Sequence, residues 1–367
     1  MSAVEISAGT GLHHLPLEFP LEHGGALRAG LLAFELSGPA DAPLVVVQGG
    51  ISSGRHVTAT ALDPTPGWWN PQVGAERAID TDRHRVLSTD WLGGLGASSG
   101  PGRAAHDSGP FPIVSSLDQA RALLALLDEL GIDTVDRFVG ASYGGMVALA
   151  FAALAPERVR GITAISAAHE SHPRASAWRS VQRRIVELGT RHGEGAAALE
   201  LARGLALTTY RSRSELAERF SDPPSVAEGR ARFAVEGYLE ARGRDFAARF
   251  SPAAFLSLSL AIDLHRVEPE RIATPTTLVA ATSDELVPVE QVRELAARLG
   301  GPARLIEIES RYGHDAFLKE DATIGAILRS DLEGLDSWVP QRRAAAEGAR
   351  RSEETHESTT VRPKVAR

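Results

Sequence analysis

A serine stands at the centre of residues 140–144, whose letters GASYG match the pattern G-x-S-x-G. An apolar run at residues 137–139 precedes it, and an Ala-rich helical pattern follows. This strand–turn–helix context predicts a nucleophile elbow, a sharp turn that exposes the hydroxyl of Ser142. We expect that side chains at positions 140 and 144 would collide with neighbouring backbone, which explains the two glycines. The following helix N-terminus favours negative charge that develops beside the serine.

A serine hydroxyl is a weak nucleophile without a general base, and His314 is our candidate for that base. It lies in the loop after a predicted strand at residues 304–308. The chain has twelve histidines, and none of the main competitors directly follows a late strand. These competitors are His56, His169 and His265.

The carboxylate that orients the base is predicted at Asp284, just past a predicted strand at residues 276–281. Such an acid fixes the imidazole tautomer and stabilises the imidazolium. Proteins with a nucleophile elbow follow the chain order serine, acid, histidine, and this assignment obeys it. The adjacent Glu285 stays open as an alternative acid. One predicted helix (residues 288–299) and one strand separate Asp284 from His314, so both loops open at the same edge of the sheet.

Two backbone N–H groups are expected to stabilise an oxyanion beside the nucleophile. Tyr143 directly follows the serine and supplies the first. Ile51 is our candidate for the second, because it lies in the Gly-rich loop after a predicted strand at residues 43–48. The alternative is that this loop merely turns the chain.

Strands and helices alternate through the first part of the chain and again near its end, which predicts a mostly parallel sheet covered by helices. Between them, residues 167–267 show an Arg-, Ala-, Leu- and Glu-rich helical pattern, which predicts an inserted helical cap. Residues 1–166 and 268–339 are assigned to an α/β core. Residues 340–367 are charged and lack a core pattern, so they are predicted to form a disordered tail.

The patterns at the two ends of the core are weaker. Residues 1–25 are predicted to be an irregular lead-in, and residues 27–36 an early strand. A last helix is predicted at residues 321–338.

The composition restricts the classes of function. The chain has 367 residues, a net charge of −8 and no cysteine, which excludes disulfides, thiolate metal sites and cysteine nucleophiles. No basic footprint indicates nucleic-acid binding, and we expect no bound metal. No signal peptide is evident in residues 1–17, and no apolar run is long enough to span a bilayer. We therefore expect a soluble cytoplasmic protein without nucleic-acid or membrane partners.

An ordered series of segments resembles the homoserine O-acyltransferase (acetyl or succinyl) family of the α/β-hydrolase superfamily over about residues 20–330. The segments are GWW at 67–69, AIDTDR at 78–83, LGG to GP at 92–101, GGM at 144–146, TYRS at 209–212, YL at 238–239 and GHDAFL at 313–318. The resemblance implies an α/β-hydrolase fold with a cap, an acyl-CoA co-substrate, no bound cofactor and a homodimer.

The resemblance also implies roles for individual residues. The serine, acid and histidine named above match the family's triad. Arg203 matches its substrate-binding arginine, and Asp315 its substrate-binding aspartate. A guanidinium suits the carboxylate of homoserine, and a carboxylate suits its ammonium. Tyr210, in the TYRS segment, is expected at the substrate as well.

Three departures from the family pattern leave the acyl group open. Tyr143 replaces the usual Met, Ile51 lies in a loop without the usual His, and Asp90-Trp91 replaces Asn and an aliphatic residue. We expect these positions to line the acyl pocket. A succinyl group adds a carboxylate that needs a cation, and Arg55 follows the oxyanion loop. A solvated loop arginine is the alternative for Arg55.

The sequence therefore predicts a homoserine O-acyltransferase of methionine biosynthesis. We expect it to use succinyl-CoA slightly in preference to acetyl-CoA, through a ping-pong mechanism with an acyl-serine intermediate. The alternatives are a serine O-acyltransferase of the same family, a carboxylesterase with the same triad, and an inactive binding protein.

Overall fold

Residues 9–103 and 110–334 are described by the computed structural model, and most of their strands form one sheet. The strands in chain order are β1 (Gly9–His14), β2 (Glu18–Pro20), β3 (Ala26–Arg28), β4 (Leu31–Ser37), β5 (Leu44–Gln48), β6 (Arg85–Thr89), β7 (Arg137–Ala141), β8 (Ile162–Ile165), β9 (Ser225–Ala227), β10 (Arg230–Arg232), β11 (Thr276–Ala281) and β12 (Ala303–Ile308). Eight of these described strands form the central sheet in the order β1-β4-β6-β5-β7-β8-β11-β12, and the pairs β2–β3 and β9–β10 stand apart.

Strand direction follows the predicted pattern. β1 and β4 are antiparallel to their neighbours, whereas the pairs from β6 across to β12 are all parallel. The prediction of a mostly parallel α/β sheet is confirmed. Parallel strands leave their carboxyl ends at one edge, where the loops that follow β5, β7, β11 and β12 meet.

Helices cover both faces of this sheet. They are α1 (Ser116–Glu129), α2 (Tyr143–Leu154), α3 (Pro173–Arg191), α4 (Gly195–Tyr210), α5 (Arg213–Arg219), α6 (Ala234–Ala247), α7 (Pro252–Asp263), α8 (Val289–Arg298) and α9 (Asp321–Glu333). Helices α3 to α7 fall between β8 and β11, within the range predicted for the cap. The division into core, cap and tail stays a prediction.

Alternate residues of the inner strands enter opposite core clusters. In β5, Val46 packs in the cluster that contains α1 and α2, whereas Val45 and Val47 pack in the cluster that contains α9. In β7, Phe138 and Val139 divide in the same way. Strands that are buried on both faces read as continuous apolar runs, which is why the sequence identified them.

The sequence patterns were wrong in four places. Residues 1–25 were predicted to be irregular, yet β1 and β2 lie there; their alternating exposed residues give only a weak signal. The predicted strand 27–36 is divided at Ala29, whose φ is 47°. The predicted cap also contains the exposed hairpin β9–β10, whose three-residue strands are too short for a sequence pattern. The last helix ends at Glu333, and the predicted tail at 340–367 lies outside the described residues.

A buried ion pair attaches α9 to the sheet. Arg137 on β7 is fully buried; its guanidinium lies 3.5 Å from the Asp331 carboxylate and donates to the Asp331 carbonyl at 2.8 Å. Thr163 on β8 and Thr277 on β11 donate their hydroxyls to the same carboxylate. One side chain of α9 thus contacts three adjacent strands. No helix within the described ranges is both long and apolar enough to cross a membrane.

Replacing Asp331 with Ala should destabilise the protein strongly, because Arg137 would then be a buried charge without its partner. We expect the free energy of unfolding to fall by about 3–5 kcal/mol. Urea unfolding followed by circular dichroism measures this. Glu333→Ala, at the exposed end of the same helix, should change it by less than about 0.5 kcal/mol. Equal effects of the two variants would contradict the assigned role of the pair.

Candidate active site

Ser142 occupies a sharp turn between β7 and α2. Its φ of 55° and ψ of −121° are sparsely populated for a residue with a side chain. A Cβ on Gly140 would lie 2.2 Å from the carbonyl oxygen of Gly144, and a Cβ on Gly144 would lie 2.2 Å from that of Gln48. Both contacts are with backbone and are too close to tolerate. The turn therefore needs glycine at both positions, as the sequence predicted.

The three residues predicted as nucleophile, base and acid form one hydrogen-bonded line. The Ser142 Oγ lies 2.8 Å from the His314 Nε2, and the His314 Nδ1 lies 2.7 Å from the Asp284 Oδ2. With Nδ1 donating to the carboxylate, Nε2 is left to accept the serine proton. This line has the geometry that nucleophilic catalysis by serine requires.

The carboxylate that pairs with His314 belongs to Asp284 and not to the adjacent Glu285. Its Oδ1 accepts hydrogen bonds from the backbone N–H groups of Leu286 and Val287 at 2.9 and 3.1 Å, which leaves Oδ2 for the histidine. Glu285 accepts from the exposed Arg213 at 2.8 Å and takes no part in the line. Of the two acids that the sequence left open as partner of the base, only Asp284 contacts His314, whereas Glu285 pairs with Arg213.

The pKa of His314 is raised above its ordinary value. Burial acts in the opposite direction and lowers it, but the charge of Asp284 and its hydrogen bond outweigh burial. Asp315 raises this pKa further, and Arg179 lowers it. A raised pKa makes the imidazole a stronger proton acceptor towards a serine hydroxyl.

The competing histidines lie elsewhere, and none bonds to Ser142. His265 is buried between the Ser116 hydroxyl at 2.7 Å and a backbone carbonyl at 3.1 Å, and burial lowers its pKa to about 3. His56 contacts a glutamate near the antiparallel edge. His169 is buried near α8.

The end of α4 and the residues just after it pack directly on the histidine loop. The Tyr210 ring stacks on His314 with centroids 5.7 Å apart, and a Cβ on Gly313 would lie 2.6 Å from the Tyr210 carbonyl oxygen. The hydroxyl of Ser212 donates to the Arg311 carbonyl. These contacts explain why the segments 209–212 and 313–318, which are far apart in sequence, belong to one site.

Arg203 contacts the same Tyr210 ring that stacks on His314. Its guanidinium is 5.1 Å from the centroid of the Tyr210 ring and 4.7 Å from that of Phe246. It makes no hydrogen bond or ion pair with any described residue, although the side chain is half-buried. A guanidinium held between two rings without an anion is suited to bind one.

Asp315 directly follows the base in the chain, and its carboxylate already has one cationic partner in the protein. An Nη2 of Arg211 is 3.3 Å from its Oδ2. Arg211 also contacts Glu215 at 3.6 Å and the Tyr238 hydroxyl at 3.3 Å. Asp315 is therefore held in place by one cation while its side chain keeps some exposure.

The loop predicted to supply an oxyanion donor contacts the nucleophile. A Cβ on Gly50 would lie 3.9 Å from the Cβ of Ser142. The Gly50 carbonyl accepts from the Trp91 indole at 3.0 Å and from the Ser53 hydroxyl at 2.7 Å. Because a trans peptide is planar, these two bonds also fix the direction of the N–H of Ile51, on the opposite side of the same peptide.

Two expectations about the acyl pocket differ from the structure. The Tyr143 side chain is buried in the core with its ring edge on Trp91, 4.9 Å between centroids, and does not line the cavity at Ser142. Arg55 does not line it either. Its backbone N–H and guanidinium both bind the buried Asp90 carboxylate. An acid that replaces the family's usual Asn thus holds Arg55.

The cavity at Ser142 includes residues that sequence reasoning missed. Its walls come from the elbow, the acid loop and the helices between β8 and β11. Besides the predicted Tyr210, they include Met146, Glu170, Arg179, Ile262 and Leu286. Arg179 belongs to an Arg-rich helix, where one arginine cannot be told from the next by spacing. Within the described residues, no group of three or more His, Asp or Glu could hold a metal ion.

Comparison with known proteins agrees with this architecture. Residues 43–321 match the model of the alpha/beta hydrolase fold family. The chain is 43% identical to a homoserine O-succinyltransferase of Xanthomonas campestris pv. campestris, over 87% of this chain and 83% of that protein. It is 34% identical to a serine O-succinyltransferase of Stenotrophomonas maltophilia, over 90% and 99% respectively.

Among solved structures, a homoserine O-acetyltransferase from Bacillus anthracis superposes with a TM-score of 0.81, covering 89% of this chain and 97% of that one. At 19% identity this likeness concerns the fold alone. The two curated relatives match nearly the whole described chain, and the ordered motifs point the same way. The chain belongs to the homoserine O-acyltransferase family of the α/β-hydrolase fold.

Proposed function

We propose that this protein is a homoserine O-acyltransferase that transfers an acyl group, succinyl in preference to acetyl, from acyl-CoA to the hydroxyl of L-homoserine. The observation that carries the proposal is the hydrogen-bonded line Ser142–His314–Asp284 with an unpaired guanidinium, Arg203, one ring away from the base. The 43% identity to a homoserine O-succinyltransferase supports both the acceptor and the acyl group.

In the first step, Ser142 Oγ attacks the thioester carbonyl of acyl-CoA while His314 Nε2 takes the hydroxyl proton. The tetrahedral oxyanion is stabilised by the N–H groups of Tyr143 and Ile51. The intermediate collapses, the C–S bond breaks, and the proton on His314 passes to the departing CoA thiolate. An acyl-serine remains, and Asp284 holds the imidazole in the correct tautomer throughout.

In the second step, the homoserine hydroxyl attacks the acyl-serine and His314 accepts its proton. Arg203 binds the carboxylate of the amino acid, and Asp315 binds its ammonium. Tyr210 contacts both Arg203 and His314 and so links the proposed carboxylate site to the base. The proton then returns to Ser142 as the ester product leaves. CoA enters only as a co-substrate, and no bound cofactor is needed.

Serine is the second candidate acceptor. It presents the same carboxylate and ammonium as homoserine, with one methylene less before the hydroxyl. The chain is 34% identical to a serine O-succinyltransferase along 99% of that protein, which supports serine as the second candidate acceptor. A homodimer in the cytoplasm remains part of the proposal.

Purified protein should be assayed with succinyl-CoA and acetyl-CoA against homoserine and serine, by thiol release and product mass. We expect the highest kcat/KM for succinyl-CoA with homoserine, and parallel double-reciprocal lines because an acyl-enzyme forms. Ser142→Ala is the control and should be inactive.

Other results would exclude the proposal. Thiol release that is equally fast without an amino acid, with free succinate as product, would indicate an esterase. A higher kcat/KM for serine would favour the second acceptor, and intersecting lines would contradict the ping-pong mechanism.

The pH dependence of kcat/KM should report the protonation of the base, His314. His314 must be neutral to accept a proton, and its pKa is raised, so kcat/KM should fall as the pH drops through a value above the ordinary 6.5. Asp284→Asn removes the carboxylate that raises this pKa. We expect that variant to move the acidic limb to lower pH and to lower kcat about 10³- to 10⁴-fold. If the acidic limb of the pH profile does not move in this variant, a group other than His314 controls it.

Arg203→Gln should weaken binding of the acceptor, because one charge-assisted contact with its carboxylate is lost. We expect the KM for homoserine to rise about 10- to 100-fold, while the KM for acyl-CoA changes by less than about threefold. Arg242→Gln, at an exposed site on α6, is the matched control. Equal increases in both KM values would contradict a role limited to the acceptor.

A further inference from the structure

Four charged side chains beside the histidine loop form a chain of ion pairs. They follow one another in the order Asp315, Arg211, Glu215 and Arg219. The Arg211 Nη2 lies 3.3 Å from the Asp315 Oδ2, and its Nη1 lies 3.6 Å from the Glu215 Oε2. The Arg219 Nη1 lies 2.9 Å from the Glu215 Oε1. The mechanism proposed above uses only Asp315, at one end of this ion-pair chain.

Glu215, on α5, is the most deeply buried member of the ion-pair chain. The residue is 3% exposed, and its backbone N–H donates to the Ser212 hydroxyl at 3.1 Å. Its Oε1 accepts a hydrogen bond from Arg219, whereas its Oε2 accepts none from any residue that the structure describes. This second oxygen is the one paired with Arg211. Glu215 therefore acts on Arg211 by its charge and not through a hydrogen bond.

Arg211 is shared among three oxygen atoms and is not clamped on any one of them. Its Nε donates to the Tyr238 hydroxyl at 3.3 Å, and the two carboxylates of the ion-pair chain lie at 3.3 and 3.6 Å. All three distances exceed the usual N–H···O separation of about 2.9–3.0 Å. The side chain is only 12% exposed, so water screens its interactions with both carboxylates weakly.

The Asp315 carboxylate keeps capacity for a second cation. Arg211 is its ion-pair partner, and its oxygens make no hydrogen bond with any other side chain in the described part of the protein. A carboxylate that is bound by only one nitrogen of a guanidinium retains acceptor positions for an ammonium group. The partial hold of Arg211 thus fixes the direction of Asp315 without occupying it fully.

The charges of the ion-pair chain balance only when Glu215 is ionised. Two guanidinium groups and two carboxylates then cancel. Without the Glu215 charge, the remaining groups would carry one net positive charge beside the place where the ammonium of an amino acid has to bind. A positive excess in a weakly screened site disfavours the approach of another cation.

We infer that Glu215 is a positioning residue for the acceptor. Its charge offsets Arg219 and holds part of the charge of Arg211, which leaves the Asp315 carboxylate oriented and negative enough to bind an ammonium group. The inference rests on the proposed acyl transfer and extends it to a residue that selects acceptors carrying an amino group. Glu215 acts through Arg211, and the formation of the acyl-serine does not involve it.

Glu215→Gln tests the inference, with Glu218→Gln as the matched control. Glu218 lies on the same helix and pairs only at the surface, with Arg311. Each variant should be assayed with succinyl-CoA against homoserine and against γ-hydroxybutyrate, which is homoserine without its amino group. If transfer to γ-hydroxybutyrate is slow, its inhibition of homoserine acylation gives its affinity. Mass spectrometry without an acceptor measures formation of the acyl-enzyme, and thermal melting checks folding.

For Glu215→Gln we expect the KM for homoserine to rise about 5- to 30-fold, with kcat changed by less than about threefold. The kcat/KM or the affinity for γ-hydroxybutyrate should change by less than about threefold, because this acceptor has no ammonium to repel. Formation of the acyl-enzyme should stay near the wild-type rate. Glu218→Gln should match the wild type with both acceptors.

A double variant separates charge from packing. Glu215→Gln combined with Arg219→Gln removes one charge of each sign, so the ion-pair chain is neutral again. We expect its KM for homoserine to return to within about threefold of the wild type, although two native contacts are lost. If the variants with Gln at position 215 melt early, Glu215→Asp keeps the charge and should keep the wild-type preference for homoserine over γ-hydroxybutyrate.

Equal losses with the two acceptors would overturn the inference, because the role of Glu215 would then be structural. A double variant that binds homoserine no better than Glu215→Gln, or an Asp variant that loses the preference, would overturn it as well. Wild-type protein that acylates serine instead would contradict only the proposed acceptor, and β-hydroxypropionate would replace γ-hydroxybutyrate in the comparison. Wild-type protein that transfers the acyl group to no amino acid would overturn both.

Discussion

The approach of three backbone segments at the nucleophile turn is the constraint on which the rest of the structure depends. Gly144 lies where a Cβ would meet the carbonyl of Gln48, at the end of β5, and Gly140 lies equally close to Gly144. The Ser142 N–H donates to Ile165 on β8 at 2.8 Å, so the turn is held by strands on both sides. A strained backbone conformation such as that of Ser142 costs about 1–3 kcal/mol. It persists only when contacts with neighbouring residues fix it. Two central strands, β5 and β8, provide those neighbours.

The segment predicted to form a cap contributes to the site by direct contact with the base. Tyr210 stacks on His314, and its carbonyl occupies the space that a side chain at Gly313 would need. The same helix, α4, carries Arg203, and the next residue after Tyr210 pairs with Asp315. Any shift of α4 against the histidine loop would therefore disturb the contacts of the base and of the proposed acceptor groups at the same time. This coupling suits a reaction in which water must not replace the amino acid as acceptor.

Much of this could be predicted from sequence because parallel strands bring their following loops to one edge. Ser142, Asp284 and His314 each follow a buried strand, so chain position indicated spatial position. The pairings of Arg55 with Asp90 and of Arg179 with Asp263 could not be foreseen. Asp263, which holds Arg179, is on another helix 84 residues away, and Asp90, which holds Arg55, is 35 residues away. Pairings between side chains on separate elements leave no periodic trace in a sequence. Strand β1 was missed because its exposed alternate residues are those of an edge strand.

The ion pair of Arg137 and Asp331 has a consequence for the order in which the protein can mature during synthesis. The two residues are 194 positions apart, yet Arg137 opens the strand that leads into the serine turn. A nascent chain lacking α9 would have to bury that guanidinium without its carboxylate, at a cost comparable to the stability of a whole domain. The strand that presents the nucleophile is therefore fully stabilised only once α9, nearly the last element of the described chain, is present.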